Sequence, residues 1–401
     1  MVVSRPTRRR VLATLGTALT GGCLRSSRAA DSTPAPGTDE PRTRSTDGTT
    51  TATAAPSDSG SALTPASLST EWSHEADLAF SHAGVAAEGT VLTQRSDGRI
   101  CVARALRDGS QRWRATFDTA VSLRPRIVGS TVLMGTVGGT IHALARSDGS
   151  ERWRYDTPGA LRVQPVVIPE EATVLVPVRF DDERAGLVDA VSLESGQRRW
   201  RIDGIDRPNS ISPAVDGRFY LGFSDSFRGY AAGDGTRLPT EQQPSGIPGV
   251  NAGRFPHPRI LFAHEGTVYL PEPRANDPVV AYDPTANEVV WRYEPFGAPV
   301  SFDAWGETLA FSAGDNAVYG LDRTTGDRRW RVQRDERFSP VAAARGVVWT
   351  ARGRTLLGID AETGTVHVER ELPLSADLVF AVGRRVIVLG SGKIGVYRIE
   401  S

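Results

Sequence analysis

A repeat with a period of about 40 residues constrains this chain more than any other feature. Residues 140–153 (TIHALARSDGSERW) and residues 317–330 (AVYGLDRTTGDRRW) share one template. In each, an alternating apolar segment runs into a short polar turn that contains glycine, and tryptophan follows four residues after that glycine. Period-two alternation on both sides of a glycine turn is typical of a β-hairpin. The template therefore predicts an all-β chain.

The turn position recurs along the chain at intervals of 40, 47, 39, 52, 39 and 38 residues, and each interval has room for four strands. Its occupants are Gly109, Gly149, Gly196, Gly235, Asn287, Gly326 and Gly364. Asparagine fits this series because it tolerates a left-handed backbone better than other residues with a side chain. The position four residues on is held by Trp113, Trp153, Trp200, Pro239, Trp291, Trp330 and Val368. One such anchor per unit at this period predicts a β-propeller of four-stranded blades.

An eighth unit begins near Leu378, but the chain ends before this unit has an outer strand. Trp72 lies 41 residues before Trp113 and so continues the tryptophan series backwards. We therefore predict an eight-bladed β-propeller in which the N-terminal strand around Trp72 completes the last blade and leaves no open sheet edge. The series tryptophans are predicted to pack between adjacent blades rather than to bind a ligand.

The first 23 residues have the features of an export signal. Arg8 and Arg9 precede an apolar run over residues 11–19, which is too short to span a bilayer of roughly 30 Å. This segment resembles a twin-arginine signal, and residues 19–23 (LTGGC) resemble a lipobox. The resemblance implies export by the twin-arginine route and a lipid on Cys23 that anchors the protein to the outer face of the cell membrane. The alternative is an incidental cysteine in a signal that is discarded.

Residues 24–70 are rich in Ser, Thr, Pro, Ala and Gly and contain no aromatic residue. Such a segment buries too little apolar surface to offset its ordering entropy, so we predict a disordered tether before a propeller over residues 71–401. Its composition also resembles an O-glycosylated stalk. If Cys23 carries a lipid, the other cysteine, Cys101, has no disulfide partner. We expect Cys101 to be a small buried hydrophobe in a strand.

The units resemble the pyrroloquinoline-quinone (PQQ) type of propeller repeat, best in residues 320–326 (GLDRTTG) and 358–364 (GIDAETG). The resemblance covers roughly residues 71–400. Two groups of proteins share this repeat. Quinoprotein dehydrogenases carry the quinone and a calcium ion on the propeller axis, whereas BamB-like lipoproteins of the outer-membrane barrel assembly machinery are not catalytic. We favour the second group because the dehydrogenases are longer and typically have an adjacent cysteine pair, which this chain lacks.

No motif in the sequence predicts a catalytic residue, a cofactor site or a metal site. Asp108, Asp148, Asp322 and Asp360 recur beside the unit turn, so we expect them to accept local backbone hydrogen bonds rather than to bind calcium. The acidic run at residues 181–183 is predicted to be a solvated hairpin tip. Neither a GxSxG elbow nor a phosphate-binding GxxxxGK[ST] loop is present, and metal-ligand spacing is absent from the six histidines, which are His74, His82, His142, His257, His264 and His367. A Ser/His/Asp group assembled across blades stays possible at this point.

The partner predictions depend on charge and on one long interval. Lys+Arg and Asp+Glu number 47 each, so no net charge favours nucleic acid. Residues 239–258 lie outside the template, and we expect them to end the fourth outer strand at Pro239 and to project as a loop that is either functional or disordered. Arg254 and Phe255 are the candidate partner anchors in that loop. We predict a monomeric scaffold for an unidentified protein partner or for envelope protein assembly. The alternatives are a PQQ-dependent or sugar-acting enzyme and a sensor that binds a small molecule on the axis.

Overall fold

The computed structural model describes residues 68–75, 84–87, 89–95, 97–180, 185–223, 227–242, 262–271, 278–390 and 392–400. In this part of the chain the strands form eight separate antiparallel sheets. First strands of five neighbouring pairs of sheets contact one another, and one of these contacts joins the eighth sheet to the first. The prediction of an eight-bladed β-propeller is confirmed.

The strands are numbered in chain order from β1 (Leu68–Glu75), and two short 3₁₀ helices cover Pro169–Glu171 and Thr240–Gln242. Blades one to four contain β2 (Gly84–Ala87), β3 (Thr90–Gln94), β4 (Ile100–Ala105), β5 (Gln111–Thr116); β6 (Arg126–Val128), β7 (Thr131–Gly135), β8 (Thr140–Ala145), β9 (Glu151–Asp156); β10 (Val166–Ile168), β11 (Thr173–Arg179), β12 (Ala185–Ser192), β13 (Arg198–Asp206); β14 (Ser210–Ile211), β15 (Arg218–Gly222) and β16 (Phe227–Ala231). Blades five to eight contain β17 (Phe262–His264), β18 (Thr267–Pro271), β19 (Val279–Asp283), β20 (Glu288–Tyr293); β21 (Pro299–Trp305), β22 (Thr308–Ala313), β23 (Ala317–Asp322), β24 (Arg328–Gln333); β25 (Ala342–Ala344), β26 (Val347–Arg352), β27 (Thr355–Asp360), β28 (Val366–Glu371); β29 (Leu378–Val382), β30 (Arg385–Gly390) and β31 (Lys393–Ile399).

The eighth blade is completed by the N-terminal strand, as predicted. β1 pairs antiparallel with β31, from Leu68 opposite Ile399 to Glu75 opposite Lys393. A partly buried ion pair joins the Arg385 guanidinium to the Glu71 carboxylate at 2.6 Å and so links β1 to β30 as well. The outer position of this blade is therefore supplied by residues more than 300 positions away in sequence, which closes the ring.

The fourth blade departs from the four-strand pattern at its outer position. There a single bridge between Tyr230 and Arg237 stands in place of a strand, although Leu238 N–H still donates to the Gly229 carbonyl at 3.0 Å. Proline follows at position 239 and has no backbone N–H to extend the ladder. The outer strand of this blade is shortened where the sequence predicted that it would be.

The core is divided into apolar clusters, each of which lies between two adjacent blades. Trp349 of blade seven packs with Val386 and Tyr397 of blade eight, and Leu389 and Ile394 of blade eight pack with Val91 of blade one. Corresponding clusters lie between the other neighbouring pairs in the described part of the chain. Each blade is therefore stabilised mainly by its two neighbours, as in other repeat proteins.

Antiparallel order gives the propeller two different faces. One end of the propeller, which we call the turn face, carries the connections between first and second strands and between third and fourth strands. The opposite end, which we call the loop face, carries the connections between second and third strands and the linkers from one blade to the next.

Candidate functional site

The turn face is built from the repeated turn that the sequence predicts. All seven turn positions have a positive φ, which runs from 71° at Gly196 to 77° at Gly326 in the six glycines and is 57° at Asn287. In six of them the glycine N–H donates to the carbonyl four residues earlier, as from Gly149 to Ala145 at 2.8 Å. A left-handed residue is required at this position, which explains its occupancy by glycine and asparagine.

Each series tryptophan lies against the turn glycine of the following blade. A Cβ atom on Gly149 would lie 2.7 Å from the ring of Trp113, so only glycine leaves room for the indole. The Trp113 indole N–H also donates to the Arg146 carbonyl in the same turn at 2.8 Å. The six ring-to-glycine contacts join Trp72 to Gly109, Trp113 to Gly149, Trp153 to Gly196, Trp200 to Gly235, Trp291 to Gly326, and Trp330 to Gly364.

The recurring aspartates of the turn face accept hydrogen bonds from their own turns. Asp108 accepts from the Ser110 N–H at 3.0 Å, and the hydroxyl and backbone of Ser110 lower the pKa of this carboxyl to about 2. Asp148 accepts from Ser150 at 2.9 Å, and Asp360 accepts from the Thr363 N–H at 2.7 Å. Among the described residues, no group of three or more His, Cys, Asp or Glu side chains is placed to bind a metal ion.

The remaining candidates from the sequence lie apart from one another. Cys101 is a free thiol in the core of blade one, and burial raises its pKa to about 12. His142 Nδ1 lies 2.7 Å from Glu151 Oε2 on the neighbouring strand. His264 stands at the end of β17, where burial lowers its pKa. The Cys101 thiol is thus a core group rather than a nucleophile.

The loop face carries a different set of groups, beginning with two arginines at the axial end of blade two. Arg126 is the first residue of β6, and Arg124 lies two residues before it. Gln164, in the linker before blade three, accepts the Arg124 N–H at 3.1 Å and donates to the Arg124 carbonyl at 2.9 Å. Both arginines line a small cleft whose other walls include Met134, Ile141, Gln164 and Val174.

The electrostatics of these two arginines are unusual for surface residues. Burial lowers the pKa of Arg124, and the neighbouring charge of Arg126 lowers it further. Burial also lowers the pKa of Arg126, although its side chain keeps solvent access, as expected for a group that lines a recess. Within the ranges that the structure describes, no carboxylate forms an ion pair with either guanidinium.

A third arginine of the loop face lies in the adjacent blade. Arg179, at the end of β11, donates to the Pro208 carbonyl at 2.6 Å and to Asn209 Oδ1 at 2.7 Å. Burial lowers its pKa, and the charges of Arg207 and Arg162 act in the same direction. Two neighbouring blades therefore present positive charge at the same face.

Across the ring, an exposed aromatic side chain is held in place at the linker from blade five to blade six. Phe296 is 72% exposed, and the Arg331 guanidinium lies 5.3 Å from its ring centroid. Arg331 donates to Asp315 Oδ2 at 2.7 Å, and the Tyr319 hydroxyl donates to the same oxygen at 2.6 Å. The Phe296 N–H donates to the Tyr319 hydroxyl at 3.3 Å. We call Phe296, Asp315, Tyr319 and Arg331 the aromatic platform.

Several sequence predictions lie outside the described residues. These are Arg8, Arg9, Cys23, His82, the acidic run at 181–183, the candidate anchors Arg254 and Phe255, and His257. Of the tether predicted over residues 24–70, residues 24–67 also lie outside, and residues 68–70 belong to β1. Among the described residues, no helix is long and apolar enough to cross a membrane. Sequence reasoning missed the loop-face arginines and the aromatic platform. Arg124 and Phe296 lie just before the first strand of a blade, and this position is the sequence signal that could have pointed to them.

Comparison with known proteins places the chain among PQQ-type propellers. A family model described as outer membrane protein assembly factor BamB matches residues 46–216 and 184–374. No curated protein matches the sequence. The crystal structure of BamB from Moraxella catarrhalis is similar at 13% identity with a TM-score of 0.62, over 83% of this chain and 98% of that one.

Other solved structures share the fold. The quinohemoprotein alcohol dehydrogenase ADHIIG from Pseudomonas putida HK5 has a TM-score of 0.61 at 12% identity, over 83% of this chain and 76% of that one. The computationally designed Ika8 protein has a TM-score of 0.66 at 14% identity, over 82% of this chain and 98% of that one. At these identities the structures show the fold alone. The family model, which spans more than half of the sequence, shows that the chain belongs to the BamB outer membrane assembly factor family.

Proposed function

We propose that this protein is an exported, lipid-anchored scaffold whose loop face binds a protein partner. The observation that carries the proposal is the aromatic platform, in which Phe296 stays 72% exposed while four hydrogen bonds and a cation–π contact hold the groups around it. An aromatic ring that is ordered before binding loses little conformational entropy on binding. Membership of the BamB family supports a role in protein interaction.

The two faces differ in whether their polar and aromatic side chains already bond within the propeller. On the turn face, the tryptophans and aspartates bond to the turns of the propeller itself. On the loop face, Phe296, Arg124 and Arg126 project from linkers and strand ends, and their side chains are not part of the repeated turn contacts. Binding residues commonly lie on loops that a rigid scaffold positions, so the loop face is the better candidate.

The partner test compares Phe296→Ala with a control that removes another exposed hydrophobic side chain away from the platform. Val290 is 47% exposed on the outer strand β20, so Val290→Ala serves as the control. Affinity-tagged full-length protein would be cross-linked in intact cells, and recovered partners would be quantified by mass spectrometry. We expect Phe296→Ala to lower partner recovery at least about fivefold and Val290→Ala to leave it unchanged. Equal recovery with both variants would contradict a partner site on the platform.

The dehydrogenase fold resemblance requires a separate test, because fold alone does not assign function. Purified protein would be incubated with PQQ and calcium, and its absorption spectrum and reduction of an artificial electron acceptor with alcohols or sugars would be recorded. The scaffold proposal expects no bound-quinone spectrum and no acceptor reduction. Alcohol- or sugar-dependent reduction would establish the enzyme instead.

The anchor is tested by Cys23→Ser in the natural host. We expect this variant to leave the membrane fraction while the far-ultraviolet circular dichroism of the propeller is retained, because residues 24–67 separate Cys23 from β1. Membrane association that persists in the variant would refute the lipid anchor without affecting the partner test.

A further inference from the structure

We infer that Arg124 and Arg126 form a docking point for an acidic, carboxylate-rich segment of the protein partner. This inference rests on the proposal that the loop face binds a protein, and it adds the chemistry of the segment that is bound. The two arginines stand at the axial end of blade two, in the cleft between blades two and three.

The first argument is positional order. Gln164 bonds to both the N–H and the carbonyl of Arg124, at 3.1 and 2.9 Å, and so fixes the backbone from which this side chain projects. Arg126 is fixed by β6, where it lies opposite Leu133 of β7. A pair of guanidiniums on a fixed backbone can donate to carboxylates with little further ordering of the chain.

The second argument is unbalanced charge. The burial that lowers the pKa of each arginine and the proximity of the two positive charges both disfavour the guanidinium pair in the free protein. In the described ranges no carboxylate offsets this cost, whereas the exposed Arg107 of the turn face is paired with Asp108 at 3.1 Å. An incoming carboxylate would remove the repulsion and form charge-assisted hydrogen bonds in a partly dehydrated recess.

The third argument selects a polypeptide as the occupant. Met134, Ile141 and Val174 close the base of the cleft and are buried, so the groups that an incoming chain meets there are Arg124 and the exposed Arg126. Arg179 extends the positive charge into blade three, so charge is spread along the face rather than confined to one point. A chain that carries several carboxylates in sequence matches this spread better than one small anion does.

The experiment measures fluorescence anisotropy of a labelled, end-blocked peptide in which glutamate alternates with serine. A peptide of the same length with glutamine in place of glutamate is the probe control. The protein variants are Arg124→Gln with Arg126→Gln and, as a matched loss of two charges on the turn face, Arg107→Gln with Arg384→Gln. Arg384 lies in the connection between β29 and β30. We expect the unaltered protein to bind the glutamate peptide only, the loop-face double variant to bind it at least about tenfold more weakly, and the turn-face double variant to bind it within about twofold of the unaltered protein.

Several outcomes would overturn the inference. Equal weakening by the two double variants would show a net-charge effect rather than a site. Equal competition by free glutamate and by the unlabelled peptide would show a site for single small anions. If no peptide binds but Phe296→Ala still lowers partner recovery, the acidic-segment inference fails and the proposed function stands. If Phe296→Ala and the loop-face double variant both leave partner recovery unchanged, the proposed function fails first.

Discussion

The two faces of this propeller are made by the same strands, yet they follow different rules. On the turn face every unit repeats one geometry, with a left-handed turn residue and, in most units, a tryptophan from the preceding blade. On the loop face the connections between blades differ in length, and although a proline recurs before first strands, as at Pro125, Pro165 and Pro340, the side chains beside it change. The repeat accounts for stability, whereas the departures from it mark where binding groups can be placed without cost to the ring.

The largest expected effect comes from removing the strand that closes the ring. Deleting residues 24–66 leaves β1 intact and should barely change the melting temperature, whereas deleting residues 24–76 removes Trp72 and exposes the edge of β31. We expect the longer deletion to cost more than about 4 kcal/mol of unfolding free energy. Thermal unfolding of both purified deletions checks this, and equal melting temperatures would disprove the closure argument.

A second test separates the tryptophan contact from backbone strain on the turn face. Gly149→Val and Gly217→Val both place a β-branched residue at a positive φ, 76° and 68°, but only Gly149 faces an indole ring. Both variants carry backbone strain of about 1–2 kcal/mol, and Gly149→Val should lose about 2–3 kcal/mol more through overpacking against Trp113. Urea unfolding measures the difference, and matching losses would mean that the ring contact contributes nothing.

A third test uses pH to measure a turn-face carboxylate. A hydrogen bond from Arg329, followed by the N–H groups of Thr325 and Thr324, lowers the pKa of Asp322. A lowered pKa means that this stabilisation is present above the unfolded pKa of about 3.9 and is lost as pH falls through the folded value. Asp322→Asn should therefore cost about 1 kcal/mol or less near pH 7, and its deficit relative to the unaltered protein should shrink below pH ~4. A deficit that is independent of pH would show that the charge of Asp322 is irrelevant.

The smallest expected effect on stability belongs to the loop face. Phe296→Ala, and Arg124→Gln with Arg126→Gln, remove groups that face solvent or an open cleft. We expect each to change the unfolding free energy by less than about 0.5 kcal/mol. A loss comparable to that of Gly149→Val in the same urea titration would show that these groups hold the ring together, and the contrast between the faces would then fail.

The sequence predicted the fold in detail because the turn is a local signal that recurs. The occupants of the turn series, Asn287 included, all adopt the predicted left-handed backbone, and the backward step from Trp113 to Trp72 located the closing strand. The partner of each tryptophan was not predicted, because the contact with the next turn glycine joins residues 34 to 43 positions apart and has no local pattern.

The loop face could not be predicted in the same way. Arg124 and Phe296 stand in linkers between blades and Arg126 begins β6, and nothing in their local sequence shows that Gln164 or Arg331 will lie beside them. The candidate anchors that the sequence did suggest, Arg254 and Phe255, lie outside the described residues and stay a prediction. Composition alone does not predict which residues a linker contacts, because those contacts depend on where the strands on both sides lie.

The direction of β1 has a consequence for how the protein is presented at a surface. Because β1 pairs with β31 so that Leu68 lies opposite Ile399, the closing strand starts at the turn face and runs toward the loop face. The chain that precedes β1 therefore joins the propeller at the outer edge of the turn face. A partner that binds at Phe296 and the arginines therefore contacts the end of the blades opposite to the end at which β1 begins.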